Sequence, residues 1–288
     1  MSDQQRQKAE AFLRLHQDPA TLVLPNAWDV VSAKIFEQAS FQAIGTTSNA
    51  IAASLGYLDG ERIPFSEMVA VIARIVQHTD LPVNADIEAG YGRDIAAVVG
   101  TVRSVIKSGA VGINLEDATR DPEQPLFDIG FQCEKLKAVR EAADVLEIPL
   151  VINARTDTYL IPFHDPEVQF QETVKRANAY REAGVDCIFV PGRLDKEQIA
   201  RLAAAIHAPL NVLATPVTPS VPELQEMGVA RLSIGPGAFR AALAGTVKIA
   251  AELAGHGTYK TLFSEALTKA EVDNLLSSAV SPHHAKVE

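Results

Sequence analysis

The amino-acid sequence predicts an α/β fold, a (β/α)8 TIM barrel, and two observations favour it. Short apolar segments rich in β-branched residues alternate with longer amphipathic segments, and eight of each can be counted along the 288 residues. No linker interrupts this alternation, and a chain of about 250 residues is typical of such a barrel. An open, doubly wound sheet is the structural alternative.

The eight predicted strands are almost wholly apolar instead of alternating between apolar and polar residues. Strands that are buried on both faces have this pattern, which indicates a parallel sheet covered by helices. The predicted strands span residues 21–24, 41–44, 82–87, 111–115, 150–153, 186–190, 210–213 and 231–234.

The segments between these strands have the spacing of amphipathic helices, and several end at a glycine suited to the left-handed cap position. The predicted helices span residues 28–38, 65–78, 94–108, 130–146, 165–183, 196–206, 221–227 and 237–254.

Two further segments lie outside a minimal barrel. A polar helix is predicted at residues 3–16, and a helical pattern recurs near residues 264–278. The apolar residues of the tail need a partner, which a docking site on this or another subunit would supply; they are Leu267, Val272, Leu275 and Leu276. We expect one barrel domain over residues 1–288, with residues 255–288 as a C-terminal helical extension.

Composition excludes several classes of function. The 26 basic and 36 acidic residues give a net charge of −10, and such a field repels nucleic-acid phosphates. Only two cysteines occur, Cys133 and Cys187, so no disulfide scaffold or CxxC metal site is expected. The N-terminus is polar, and no apolar run of about 18 residues is present. We therefore expect a cytoplasmic protein that binds neither nucleic acid nor membrane.

Polar residues follow three consecutive predicted strands. Asp86 and Glu88 end the third strand, Glu116 and Asp117 follow the fourth, and Arg155 follows the fifth. Barrel chemistry occurs at the carboxyl ends of the strands, where these side chains would meet. Acids in such positions also serve as helix caps or structural ion pairs. As a set, these oxygen ligands favour Mg²⁺, with the arginine holding a substrate carboxylate.

The motifs at residues 84–92, 116–117 and 153–156 resemble those of the isocitrate lyase/phosphoenolpyruvate mutase superfamily: Asp-x-Glu followed by Gly-Tyr-Gly, then Leu-Glu-Asp, then Ala-Arg. Segments 24–29, 45–48 and 53–59 extend the similarity. The resemblance implies a barrel, usually tetrameric, whose terminal helix is exchanged between subunits. It also implies Mg²⁺, or Mn²⁺ in its place, and reactions of small acids through a metal-bound enolate.

The resemblance also implies a set of metal ligands. Asp86 corresponds to the direct ligand, while Glu88, Glu116 and Asp59 correspond to ligands that act largely through water. Asp86 is also expected to contact the substrate, and Glu116 to take part in catalysis.

Further residues are implied as substrate-binding or catalytic. Arg155 corresponds to the carboxylate clamp. Thr47, Ser48 and Asn49 correspond to a loop whose backbone N–H groups hold the substrate carboxylate and the enolate oxygen. Arg120 and the loop of residues 117–126 would cover the substrate and exclude water.

The same loop departs from the pattern of each well-known branch of the superfamily. Residues 118–126 contain no cysteine, Gly-His pair or lysine, which the isocitrate and methylisocitrate lyases carry there. The loop has little similarity to the mutase loop. Pro236 stands where the oxaloacetate decarboxylase branch has a histidine. We expect a Mg²⁺-dependent carbon–carbon lyase, similar to 2-methylisocitrate lyase, that acts on a 2-oxo acid or a 2-hydroxy-tricarboxylate. The alternatives are a phosphonopyruvate-type mutase or hydrolase, an oxaloacetate decarboxylase, and a catalytically silent barrel that binds a keto acid.

Overall fold

The computed structural model describes residues 2–264 and 266–277, and it shows a nearly closed barrel of parallel strands surrounded by helices. This confirms the predicted fold class. In chain order the strands are β1 (Leu22–Leu24), β2 (Asn26–Ala27), β3 (Ile44–Thr46), β4 (Val83–Asp86), β5 (Gly112–Glu116), β6 (Val151–Arg155), β7 (Cys187–Val190), β8 (Leu210–Leu213) and β9 (Arg231–Ser233).

The first predicted strand is divided into two short pieces. β1 pairs with β9 and β2 pairs with β3, so the two pieces together close the circle of strands. Pro25 lies between them, and its lack of an N–H group interrupts a ladder. Its carbonyl still accepts a hydrogen bond from the Gly45 N–H at 2.8 Å.

The second predicted strand, at residues 41–44, is placed too early, because the observed strand β3 begins at Ile44. Phe41 instead packs its ring against Phe36 outside the barrel, with ring centroids 6.0 Å apart. Ser40 adopts a left-handed conformation, with φ of 63°, that turns the chain before the strand. The other strands lie within the predicted segments or extend them by one or two residues.

The eight predicted helices are all present, and aspartates cap several of them. Asp29, Asp94 and Asp195 accept backbone hydrogen bonds from the first turns of their helices. The helices are α1 (Asp3–Leu15), α2 (Val30–Gln38), α3 (Ser48–Ser54), α4 (Phe65–Gln77), α5 (Ile95–Lys107), α6 (Ile129–Val145), α7 (Pro166–Glu182), α8 (Lys196–Ala205), α9 (Val221–Glu226), α10 (Gly237–His256), α11 (Lys260–Ser264) and α12 (Lys269–Ser277). Helix α3 was not among the predicted helices.

Helix α1 covers the amino-terminal end of the barrel. Gln5 donates to the carbonyls of Ile106 and Ala110, at 2.7 and 3.1 Å, and Phe12 is fully buried. His16, which follows the helix, reaches the fully buried guanidinium of Arg231 inside the barrel, at 3.5 Å. With this end covered, the carboxyl ends of the strands form the open mouth.

The C-terminal helices pack less closely on their own chain. Helix α10 contains no buried residue, although Phe239 contacts the ring of Trp28 with centroids 5.4 Å apart. Helix α12 lies against α2 and buries Leu275, whereas Leu267 and Leu276 are exposed. Within the described residues, no helix is long and apolar enough to span a bilayer. Part of the predicted tail, Glu265 and residues 278–288, lies outside the described residues.

Candidate active site at the barrel mouth

Asp86 ends β4 at the mouth, and only one of its two carboxylate oxygens accepts hydrogen bonds. Its Oδ2 atom accepts hydrogen bonds from the backbone N–H and the hydroxyl of Ser48, at 2.9 and 2.8 Å. Its own N–H donates to Thr46 Oγ1 at 2.9 Å. The other oxygen, Oδ1, is buried without a hydrogen-bond partner. A buried, unpaired carboxylate oxygen is costly, and a bound cation would satisfy it.

Glu88 lies just beyond β4, where the chain turns with a φ of 51°. Its carboxylate accepts hydrogen bonds from Tyr91 Oη at 3.1 Å, the Glu61 N–H at 2.8 Å and Arg120 Nη2 at 2.7 Å. Burial, followed by the charge of Asp86, raises the pKa of Glu88 to about 7. The charges of Asp86 and Glu88 therefore interact, although Glu88 lies in a turn beyond the strand and not on the strand itself.

Glu116 and Arg155 end neighbouring strands and are direct register partners of β5 and β6. Arg155 Nη1 lies 2.8 Å from Glu116 Oε2. The two groups form an ion pair but no hydrogen bond, because the N–H bond is not directed at the oxygen. Arg120 Nη2 contacts the other oxygen of Glu116 at 2.5 Å. Burial of Glu116 raises its pKa, while the two arginines oppose that rise. Two guanidinium groups thus balance a carboxylate with almost no exposed surface.

The fork of Arg155 is already engaged by a carboxylate of its own chain. Its Nε and Nη2 atoms donate to the two oxygens of Asp157, at 2.5 and 2.9 Å. Asp157 begins a short 3-10 helix, Asp157–Tyr159. The expected carboxylate clamp is therefore held rigidly at the mouth by a residue that the sequence analysis did not include in the site.

The predicted substrate loop at Thr47, Ser48 and Asn49 is instead the first turn of helix α3. Thr47 is the N-cap residue, and its N–H donates to the carbonyl of Ala27 at 3.2 Å. The N–H of Ser48 is directed at Asp86. Asn49 is half-buried. The three residues do lie at the mouth, but at least two of their N–H groups have partners within the chain.

Asp59 and Arg120 approach from two loops. Asp59 is exposed, and its negative charge is one cause of the raised pKa of Glu88. Arg120 lies over Gly60, where its Nε atom would be 3.5 Å from an added Cβ. Across the described part of the chain, no group of three or more Asp, Glu, His or Cys side chains is arranged to hold a metal ion. The acids converge, but arginines lie between them.

A buried network that the sequence analysis missed supports this site from behind. Asp117 is fully buried and accepts hydrogen bonds from Tyr180 Oη at 2.7 Å, Arg176 Nη1 at 3.2 Å and the Asp157 N–H at 3.0 Å. Asp117 thus fixes the turn that carries Asp157, and Asp157 fixes Arg155. No signal in the sequence joins Tyr180 to Asp117, since they are 63 residues apart.

A parallel barrel with carboxylates and arginines at its carboxyl-terminal mouth is the arrangement of a barrel enzyme. A family model described as phosphoenolpyruvate phosphomutase matches residues 12–254. The chain belongs to this family, within the isocitrate lyase/phosphoenolpyruvate mutase superfamily, which confirms the resemblance noted in the sequence and the prediction of an enzyme.

Individual relatives support the same assignment. "Uncharacterized protein MT2054" from Mycobacterium tuberculosis (strain CDC 1551 / Oshkosh) is 34% identical over 233 residues, covering 81% of this chain and 84% of the relative. The 2-methylisocitrate lyase of Escherichia coli (strain K12) is 30% identical over 249 residues, which cover 83% of this chain and 82% of the relative. The crystal structure of a "putative lyase/mutase" from Burkholderia cenocepacia J2315 has a TM-score of 0.89 at 34% identity, covering 96% and 98%.

Proposed function

We propose that the protein is a Mg²⁺-dependent lyase that cleaves a carbon–carbon bond in a small 2-oxo acid or 2-hydroxy-tricarboxylate. The observation that carries the proposal is the buried Oδ1 atom of Asp86, which has no partner although it lies at the mouth of the barrel beside other carboxylates. The relationship to 2-methylisocitrate lyase supports the substrate class.

The mouth offers a hard divalent cation one direct oxygen ligand, since the described side chains form no cluster of three or more acids arranged around a metal ion. Asp86 would bind it directly through Oδ1, because Ser48 already holds the other oxygen in place. Glu88, Glu116 and Asp59 would act on its water ligands, since Mg²⁺ usually retains several waters. Mn²⁺ has the same preference for carboxylate oxygens and would substitute for Mg²⁺. When bound, the cation would supply positive charge beside the oxygen that becomes negative as the carbon–carbon bond breaks.

The other side chains at the mouth orient the substrate and exclude water. Arg155 would present its positive charge to a substrate carboxylate from a position that Asp157 fixes. The first turn of α3, residues 47–49, would lie along the opposite side of the substrate. Arg120 and the loop of residues 117–126 would cover it, which keeps water from the carbanionic fragment.

Turnover measurements would test this function. Metal-stripped and Mg²⁺-loaded protein are incubated with 2-methylisocitrate, 2,3-dimethylmalate, oxaloacetate and phosphonopyruvate, and the products are identified by NMR. We expect Mg²⁺-dependent cleavage of 2-methylisocitrate or oxaloacetate and its loss in Asp86→Asn. Cleavage of 2,3-dimethylmalate alone would contradict the proposed substrate class, because that acid is a 2-hydroxy-dicarboxylate. Undiminished turnover by metal-stripped protein contradicts the proposal. Turnover of phosphonopyruvate alone would indicate the mutase or hydrolase alternative, and oxalate binding without any turnover would indicate a silent barrel.

We also propose that the chain, a single barrel domain with residues 255–288 as its extension, forms a homotetramer in which the C-terminal helices pack on a neighbouring subunit. Helix α10 buries no residue against its own chain although it carries Leu243, Val247 and Leu253, which are each more than 45% exposed. An apolar helix face of this length is normally covered. Light scattering coupled to size exclusion should give four times the chain mass of 30.9 kDa, and a monomer would contradict the proposal.

A further inference from the structure

One arginine reaches into the carboxylates of the mouth from the solvent side. Arg120 Nη2 lies 2.7 Å from Glu88 Oε2 and 2.5 Å from Glu116 Oε1, so a single nitrogen bridges two carboxylates. The side chains of Glu88 and Glu116 are 2% and 1% exposed, whereas that of Arg120 is 39% exposed. The bridging cation is therefore the accessible member of the cluster.

The loop that carries Arg120 is closed by contacts that do not involve the Arg120 side chain. Arg120 has a φ of 68°, a left-handed conformation that is unfavourable for a residue with a side chain. The loop itself is closed independently, by a bridge between Ala118 and Leu126 and by the Thr119 N–H donating to the Pro125 carbonyl at 3.0 Å. The Arg120 side chain can therefore leave the carboxylates without opening the base of the loop.

The second arginine at the mouth is held differently. Arg155 contacts Glu116 as well, but its fork is fixed by two hydrogen bonds to Asp157, and its side chain is 18% exposed. Among the described contacts, Arg120 forms ion pairs with these two carboxylates and has no fork held by a third, although its side chain also lies over Gly60 and the negative charge of Asp59 contributes to its raised pKa. One guanidinium is thus a fixed part of the site, and the other is free to exchange.

We propose that Arg120 is an exchangeable counter-ion of the metal site: it neutralises Glu88 and Glu116 in the metal-free protein, and a divalent cation competes with it for them. This inference rests on the proposed function, because competition requires that a divalent cation binds here. A guanidinium and a divalent cation at the same carboxylates repel each other. The cation therefore binds only when Arg120 leaves the two carboxylates, and this competition weakens cation binding.

Calorimetric titration of Mg²⁺ alone into three proteins tests the inference. Arg120→Gln should bind Mg²⁺ at least about tenfold more tightly than wild type, which corresponds to about 1.4 kcal/mol. Arg93→Gln is the matched control, because Arg93 is an exposed arginine in the neighbouring β4–α5 loop; its affinity should equal that of wild type. Equal or weaker binding by Arg120→Gln, with wild type still binding Mg²⁺, overturns the inference and leaves the proposed function standing. Absence of Mg²⁺ binding in both proteins rejects the two together.

Limited proteolysis of the wild-type chain provides a second readout that needs no variant. Trypsin cleaves after arginine, and the Arg120–Asp121 and Arg93–Asp94 bonds have the same residue pair in two loops of the mouth. Mg²⁺ should accelerate cleavage after Arg120 relative to cleavage after Arg93, because the released side chain becomes available to the protease. An unchanged ratio of the two rates would show that the cation does not displace Arg120.

Discussion

The buried hydroxyl of Tyr180 offers a quantitative test of the network behind the mouth. It donates to Asp117 Oδ2 at 2.7 Å, and neither side chain is exposed to solvent. Tyr180→Phe preserves the ring but removes one donor from a buried carboxylate. A hydrogen bond to a charged group contributes about 1.5–3 kcal/mol, so we expect the free energy of unfolding to fall by that amount.

Urea unfolding at pH 7.5 measures the effect as a lower midpoint with an unchanged slope. Tyr57→Phe is the control, because that hydroxyl donates to the half-exposed Glu67 at 2.9 Å and its loss should cost much less. A Tyr180→Phe protein within about 0.5 kcal/mol of wild type, the range of ordinary surface changes, would refute the assigned role of Asp117.

Two further changes test other parts of the molecule. Burial, then the charge of Arg231, lowers the pKa of His16 to about 3. Since an unfolded histidine titrates near pH 6.5, below that pH the unfolded chain binds a proton that the folded chain does not. Stability should therefore fall by up to about 1.4 kcal/mol per pH unit between pH 6.5 and 3. His16→Gln should show a smaller fall in its urea midpoint between pH 7 and pH 5, and equal falls in both proteins would contradict this. Arg155→Lys replaces the planar fork held by Asp157 with a point charge, so the dissociation constant for oxalate should rise at least about tenfold, and an unchanged constant would count against the assigned role.

Local sequence patterns were sufficient to predict the barrel. Apolar segments of four or five residues locate buried parallel strands, because each such strand is covered on both faces. Asp86 and Glu116 could be placed at the mouth because each lies at the carboxyl end of a largely apolar predicted strand. Two wrong predictions could have been avoided from the sequence. Pro25 marks the interruption of the first strand. Thr47, before a run rich in alanine, is typical of the N-cap of the helix that was not predicted.

Other features depend on tertiary geometry that no local pattern contains. The contact of Arg120 with Glu88 requires both a left-handed residue and a closed loop. Asp117 and Tyr180 meet only because helix α7, which packs on β7 and on helix α6, places Tyr180 against the residue that follows β5. Arg231 begins a predicted strand, yet its side chain is buried inside the barrel, where Asn84 and Asn114 contact it at 3.4 Å.

The central claim is that Asp86 Oδ1 binds a divalent cation at the mouth of the barrel. A crystal soaked with Mn²⁺ and oxalate, with data collected at a wavelength where manganese scatters anomalously, tests it most directly. We predict one anomalous peak per chain, bound to Asp86 Oδ1 and shared with oxalate. A peak elsewhere in the molecule, or clear oxalate density at the mouth with no peak beside Asp86, would contradict the claim.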